Sequence, residues 1–142
     1  MSLLTEEVTA ELREAFAGLV NPVRLAVFSQ ALAEPVSEEV RRLVEELAAL
    51  HPLLSAESRN FVLDQERVQE LGIERIPAIA VLGEGTDYGV RLYGLPTGYE
   101  FGSLVEAVLD VSRGASGLSA ETRDALAALE TDVKLRVFST PT

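Results

Sequence analysis

The stretch IPAIAVLGEGTDYGVRLY, residues 76–93, decides how the chain is read. Residues 77–82 are apolar and rich in strand formers, Gly83-Glu84-Gly85-Thr86-Asp87 is a turn-rich link, and 88–93 reads as strand again. Two such runs joined by such a link predict an antiparallel hairpin. Gly83-x-Gly85 with Gly89 lacks the G-x-G-x-x-G spacing, and a strand instead of a helix follows it. The glycines therefore read as a turn and not as a phosphate cradle.

Upstream of the hairpin, 65–71 predicts a short helix stopped by Gly72, and 59–63 predicts a strand. Residues 37–50 carry Val40, Leu43, Val44, Leu47 and Leu50 on one helical face, and His51-Pro52 ends that helix. Before it lies VRLAVFS, Val23–Ser29, a buried strand by composition. The chain opens with an amphipathic helix over 5–19, capped by Thr5, with Val8, Leu12, Ala15, Phe16 and Leu19 on one face. Downstream, Phe101, Leu104, Val105, Val108 and Leu109 recur at the spacing of a helix packing one face on the sheet. Strand-helix-strand, then hairpin and helix, is the thioredoxin-like order: an α/β fold with a central mixed sheet and flanking helices.

The sequence also repeats itself. A shift of 110 positions lays TAELREAFAGLVNPVRLAVFS (9–29) on SAETRDALAALETDVKLRVFS (119–139), with about half the positions identical. The expected organisation is a thioredoxin-like module over 1–114. Over 115–142 it is a small-residue linker, then a helix (119–129) and strand (133–139) that begin an incomplete second module. Such a strand, left unpaired, invites association through its edge, so a homodimer through residues 119–139 is expected.

Composition narrows the functions. Of 142 residues, 23 are acidic and 12 basic, and a net charge of −11 argues against nucleic acid or an anionic membrane as partner. No apolar run approaches the ~20 residues of a membrane span, and the acidic N-terminus lacks a signal peptide's basic region, so a cytoplasmic location is expected. There is no cysteine, hence no thiolate nucleophile and no Cys-ligated metal within these residues. Neither a metal nor a cofactor is expected, because the remaining carboxylates lie on polar helical faces.

Asn21-Pro22-Val23-Arg24-Leu25, Gly72-Ile73-Glu74-Arg75-Ile76-Pro77-Ala78, the long run from Asp87 to Phe101, Asp110-Val111-Ser112-Arg113-Gly114 and Val137-Phe138-Ser139-Thr140-Pro141-Thr142 carry a resemblance. The chain resembles the N-terminal part of the two-module, glutaredoxin-like protein disulfide oxidoreductases. It is similar also to the N-terminal domain of the bacterial alkyl hydroperoxide reductase flavoprotein. The resemblance implies a Cys-x-x-Cys between the first strand and second helix, and counting from Phe28 places it at Glu34, Pro35, Val36 and Ser37. Neither a carboxylate nor a serine hydroxyl passes disulfide electrons, so the module reads as catalytically silent. Its role is then structural or one of recognition, with a protein partner, a redox protein among the candidates. The resemblance also implies a cis peptide between Ile76 and Pro77, beside the redox position, with a groove there for an extended peptide. In the alternative reading the dithiol lies in a second module beyond Thr142.

Ser37 could serve as a nucleophile or, as in glutathione transferases of this fold, steady a bound thiolate; the plainer reading is an N-cap ahead of Glu38 and Glu39. His51 lies fourteen residues further along the same helix, roughly 20 Å away at 1.5 Å per residue, too far to act as its base.

Overall fold

A computed structural model describes residues 2–30 and 35–140. Helix α1, Glu6–Phe16, starts where the Thr5 hydroxyl accepts a hydrogen bond from the Val8 N–H at 3.2 Å, with Glu6 and Glu7 in the first turn at the positive end of the helix dipole. It buries Leu12 and Phe16. Strand β1 (Val23–Ser29) follows, then α2 (Pro35–Ala48), β2 (Leu54–Asn60), α3 (Gln65–Glu70), β3 (Ala78–Gly83), β4 (Val90–Tyr93), α4 (Tyr99–Arg113) and α5 (Ala120–Ala127).

The four strands form one sheet in the order β2-β1-β3-β4. β1 runs parallel to β2 and antiparallel to β3, and β3 and β4 form the expected antiparallel hairpin. β1 is buried almost throughout because both faces of this central strand are covered. Leu25, Val27, Ile79 and Val81 face α1, α2 and α4 through Phe16, Val44, Leu47, Leu104 and Val108. Ala26, Phe28, Ala78, Ala80 and Leu82 point the other way, onto Val68, Leu71 and Ile73. At ~1.5–3 kcal/mol for each large apolar side chain buried, these two layers dominate the stabilisation. α4 ends at Gly114, whose φ of 67° is one that glycine adopts without strain.

A buried latch ties α1 and β1 to α4. Ser112 Oγ accepts from the Val20 and Asn21 N–H groups (2.9 and 3.1 Å) and donates to the Asn21 carbonyl, while Asn21 Nδ2 donates to the Ser112 carbonyl at 2.8 Å.

Three sequence expectations need correction. The second strand lies at Leu54–Asn60 and not at 59–63: the apolar run Phe61-Val62-Leu63 is a turn with Leu63 81% exposed, because pairing with β1 selects the polar segment before it. Ser37 is no N-cap: α2 starts at Pro35, which puts Ser37 inside the first turn. The helix expected at 119–129 forms as α5, but 133–139 joins no strand ladder and α5 buries no residue. A strand needs a neighbour for its backbone groups, and no described strand lies beside this one.

Candidate functional site

The residues that the redox resemblance singles out gather at one end of the sheet. Phe28 pairs with Ala78, so Pro77 sits one step beyond, at the end where β1 stops and the chain turns toward α2. The Ile76–Pro77 peptide is cis. The Pro77 carbonyl accepts from the Gly94 N–H at 2.9 Å, which extends the β3–β4 ladder past its last strand residue. Ile76 is half-buried against the layer that holds Phe28 and Phe61. Beside it, the Arg75 guanidinium lies 4.3 Å from the centroid of the Tyr93 ring, within cation–π range.

Of the four positions that stand where Cys-x-x-Cys is expected, Glu34 lies outside the described residues. Pro35, Val36 and Ser37 form the first turn of α2. Val36 is 40% exposed, whereas Ser37 is buried and its hydroxyl has no hydrogen-bond partner. Proline at the start of α2 suits a position whose N–H has no intrahelical acceptor.

Ser37 lines a polar cavity of about 380 Å³ that sequence reasoning missed, shared with Ser29 and Gln30 after β1 and with Ser58, Arg59 and Asn60 at the end of β2. Parallel pairing of β1 with β2 brings those strand ends together, so the signal was within reach only with β2 correctly placed. Arg41 bridges Glu38 and Glu45 along the rim, and the hydrogen bond from Arg41 holds the Glu38 carboxyl below its ordinary pKa. In the middle of β2 lies Glu57. Burial opposes its ionisation, but hydrogen bonds from Arg67 and Arg59 outweigh that and keep its pKa low. His51 is a helix-end residue whose Nδ1 accepts from the Leu53 N–H at 3.1 Å.

Among the described residues no three His, Asp or Glu side chains converge on a metal-sized site. No described helix is long and apolar enough to cross a membrane.

No protein-family model matches the sequence. A protein named NADH dehydrogenase from Ferdinandcohnia aciditolerans is 32% identical over 110 residues, which is 78% of this chain and 18% of that protein. The N-terminal domain of the alkyl hydroperoxide reductase AhpF from Enterococcus faecalis superimposes with a TM-score of 0.80 at 28% identity, covering 89% of this chain and 61% of the solved one. A protein disulfide oxidoreductase from Aeropyrum pernix does so at 0.77 and 32% identity, covering 88% and 55%. The chain thus spans less than a fifth of the curated relative and little over half of each solved chain. It carries a thioredoxin-like module similar to the N-terminal domain of the alkyl hydroperoxide reductase AhpF and to protein disulfide oxidoreductases.

Proposed function

We propose that residues 1–114 form a thioredoxin-like recognition module that has no dithiol chemistry of its own and works with a protein partner in thiol-disulfide or peroxide-reducing systems. One observation carries this reading: the first turn of α2 presents Pro35-Val36-Ser37 where a redox pair would stand, in a sequence without cysteine. Disulfide exchange passes through a mixed disulfide, which needs a thiolate. The place left for recognition is the segment just ahead of β3, half-buried Ile76 beside buried Pro77, with a redox protein as its candidate partner and an extended peptide as the mode of contact.

The test is an insulin-reduction assay with dithiothreitol. The purified chain is expected not to accelerate precipitation, and acceleration above the buffer rate sinks the reading. Glu34→Cys combined with Ser37→Cys is expected to form an intramolecular disulfide. A pair that never oxidises means that these two positions are not the redox pair of the fold.

A second reading has a separate observation behind it. Residues 119–139 repeat 9–29, and the relatives are longer than this chain. In that reading 115–142 is a linker and the opening of a second module that carries the dithiol. Gene sequence past codon 142 that encodes a Cys-x-x-Cys supports it, and a stop codon there removes it.

A further inference from the structure

The cavity at the C-terminal ends of β1 and β2 lies where open α/β sheets receive ligands, against the first turns of a 14-residue helix. Its polar groups are unequally committed. Both carboxylates are already engaged: Glu38 receives the Arg41 guanidinium, and Asp64 Oδ2 accepts from the Asn60 N–H at 2.6 Å. The donors are not. Arg59 spends Nε on Glu57 at 2.7 Å, and its terminal nitrogen stands 3.8 Å from Asp64, outside hydrogen-bond range. The hydroxyls of Ser29 and Ser58 and the Gln30 amide make no hydrogen bond to another described residue. In this set, Ser37 Oγ is shielded from solvent and without a partner, a condition native structures seldom leave unexplained.

We infer that this cavity binds a small oxyanion, with the Ser37 hydroxyl and the Arg59 guanidinium as its principal donors. The first-turn N–H groups of α2, which have no intrahelical acceptor, add positive potential from the same side. A cation would find carboxylates that already accept hydrogen bonds from arginine or from a backbone N–H. The volume admits a molecule of several heavy atoms and not merely an ion. A carboxylate and a tetrahedral anion such as sulfate offer the same acceptor chemistry, and the experiment separates them.

Amide spectra (1H–15N) of the full chain, titrated with sodium acetate and separately with sodium sulfate against sodium chloride at equal ionic strength, test this. Saturable shifts at the Ser37 and Glu38 amides with either salt and not with chloride are the expected result. Acetate alone would identify a planar carboxylate as the ligand group, and sulfate alone a tetrahedral one. Loss of a hydrogen bond to an anion should make Ser37→Ala bind about tenfold more weakly. Arg59→Gln, on the rim, should do likewise and keeps the test informative if the buried substitution unfolds the chain. Absence of saturable shifts, equal shifts with chloride, or unchanged binding in both variants would overturn the inference. The silent-module reading does not depend on the outcome, since the insulin assay reports on it separately.

Discussion

Residues 9–29 and 119–139 share about half their positions in sequence and have opposite surroundings. Val23, Leu25, Val27 and Phe28 are at most 1% exposed, while their counterparts Val133, Leu135, Val137 and Phe138 are 62–91% exposed. These four apolar strand positions recur in both, although buried Leu12 and Ala26 of the first copy correspond to Thr122 and Arg136 in the second. What also differs is the company: β1 has β2 on one side, β3 on the other and helices over both faces, whereas 133–139 has no described strand beside it. The pattern states what a segment can bury, and tertiary partners decide whether it does.

The strongest way to break this comparison is to make the same substitution in both copies. Phe28→Ala empties a fully buried site between β1 and α3 and is expected to cost about 3–5 kcal/mol by urea unfolding. Phe138→Ala, at 89% exposure, is expected to stay within about 0.5 kcal/mol. Comparable losses at the two positions would mean that the second copy is buried in solution. Should 119–139 pair two chains as a homodimer, Phe138→Ala is also expected to lower the mass seen by light scattering, an effect Phe28→Ala would not reproduce without unfolding.

A smaller effect distinguishes how the two copies are anchored. In the first, the connection between helix and strand is held by Ser112, whose hydroxyl serves both Val20 and Asn21. The corresponding Glu130 and Thr131 are exposed and have no such latch. Ser112→Ala leaves part-buried backbone groups unpaired and should cost about 1–3 kcal/mol by the same unfolding measurement. A neutral result would mean that water replaces the hydroxyl and that the sheet contacts alone hold β1 in place.

The comparison also explains which parts of the fold were legible in the sequence. β1, β3 and the buried stripes of α2 and α4 are local patterns with strong periodicity, and they lie where the sequence reading expects them. β2 was not legible because LSAESRN has no apolar signature. It becomes a strand by pairing with β1 from Val23 opposite Leu54 to Ser29 opposite Asn60. The apolar Phe61-Val62-Leu63 looked more like a strand and is a turn. The positions expected for a redox pair could be counted from Phe28, but the burial of the Ser37 hydroxyl depends on where α2 begins relative to β2, a long-range property that no local spacing encodes.

The smallest expected effect concerns charge. Arg24 of β1 corresponds to Lys134, yet only Arg24 has a strand opposite that offers a carboxylate: Glu57 of β2 stands 3.8 Å from it and also meets Arg59 and Arg67. Burial raises the Glu57 pKa and the arginine hydrogen bonds lower it further, so the folded value lies below the ordinary 4.5. A carboxylate with a depressed folded pKa stabilises the fold fully above its unfolded pKa, and that contribution is lost as pH falls through the folded value. Glu57→Gln is therefore expected to cost about 1 kcal/mol at neutral pH, modest because the arginines are partly exposed and screened by solvent. The gap between variant and wild type should narrow as unfolding is repeated at successive pH values below 4.5. A gap that stays constant with pH would show that Glu57 contributes by packing and not by charge. Lys134→Gln, with no carboxylate strand opposite, is expected to show no measurable difference at any of these pH values.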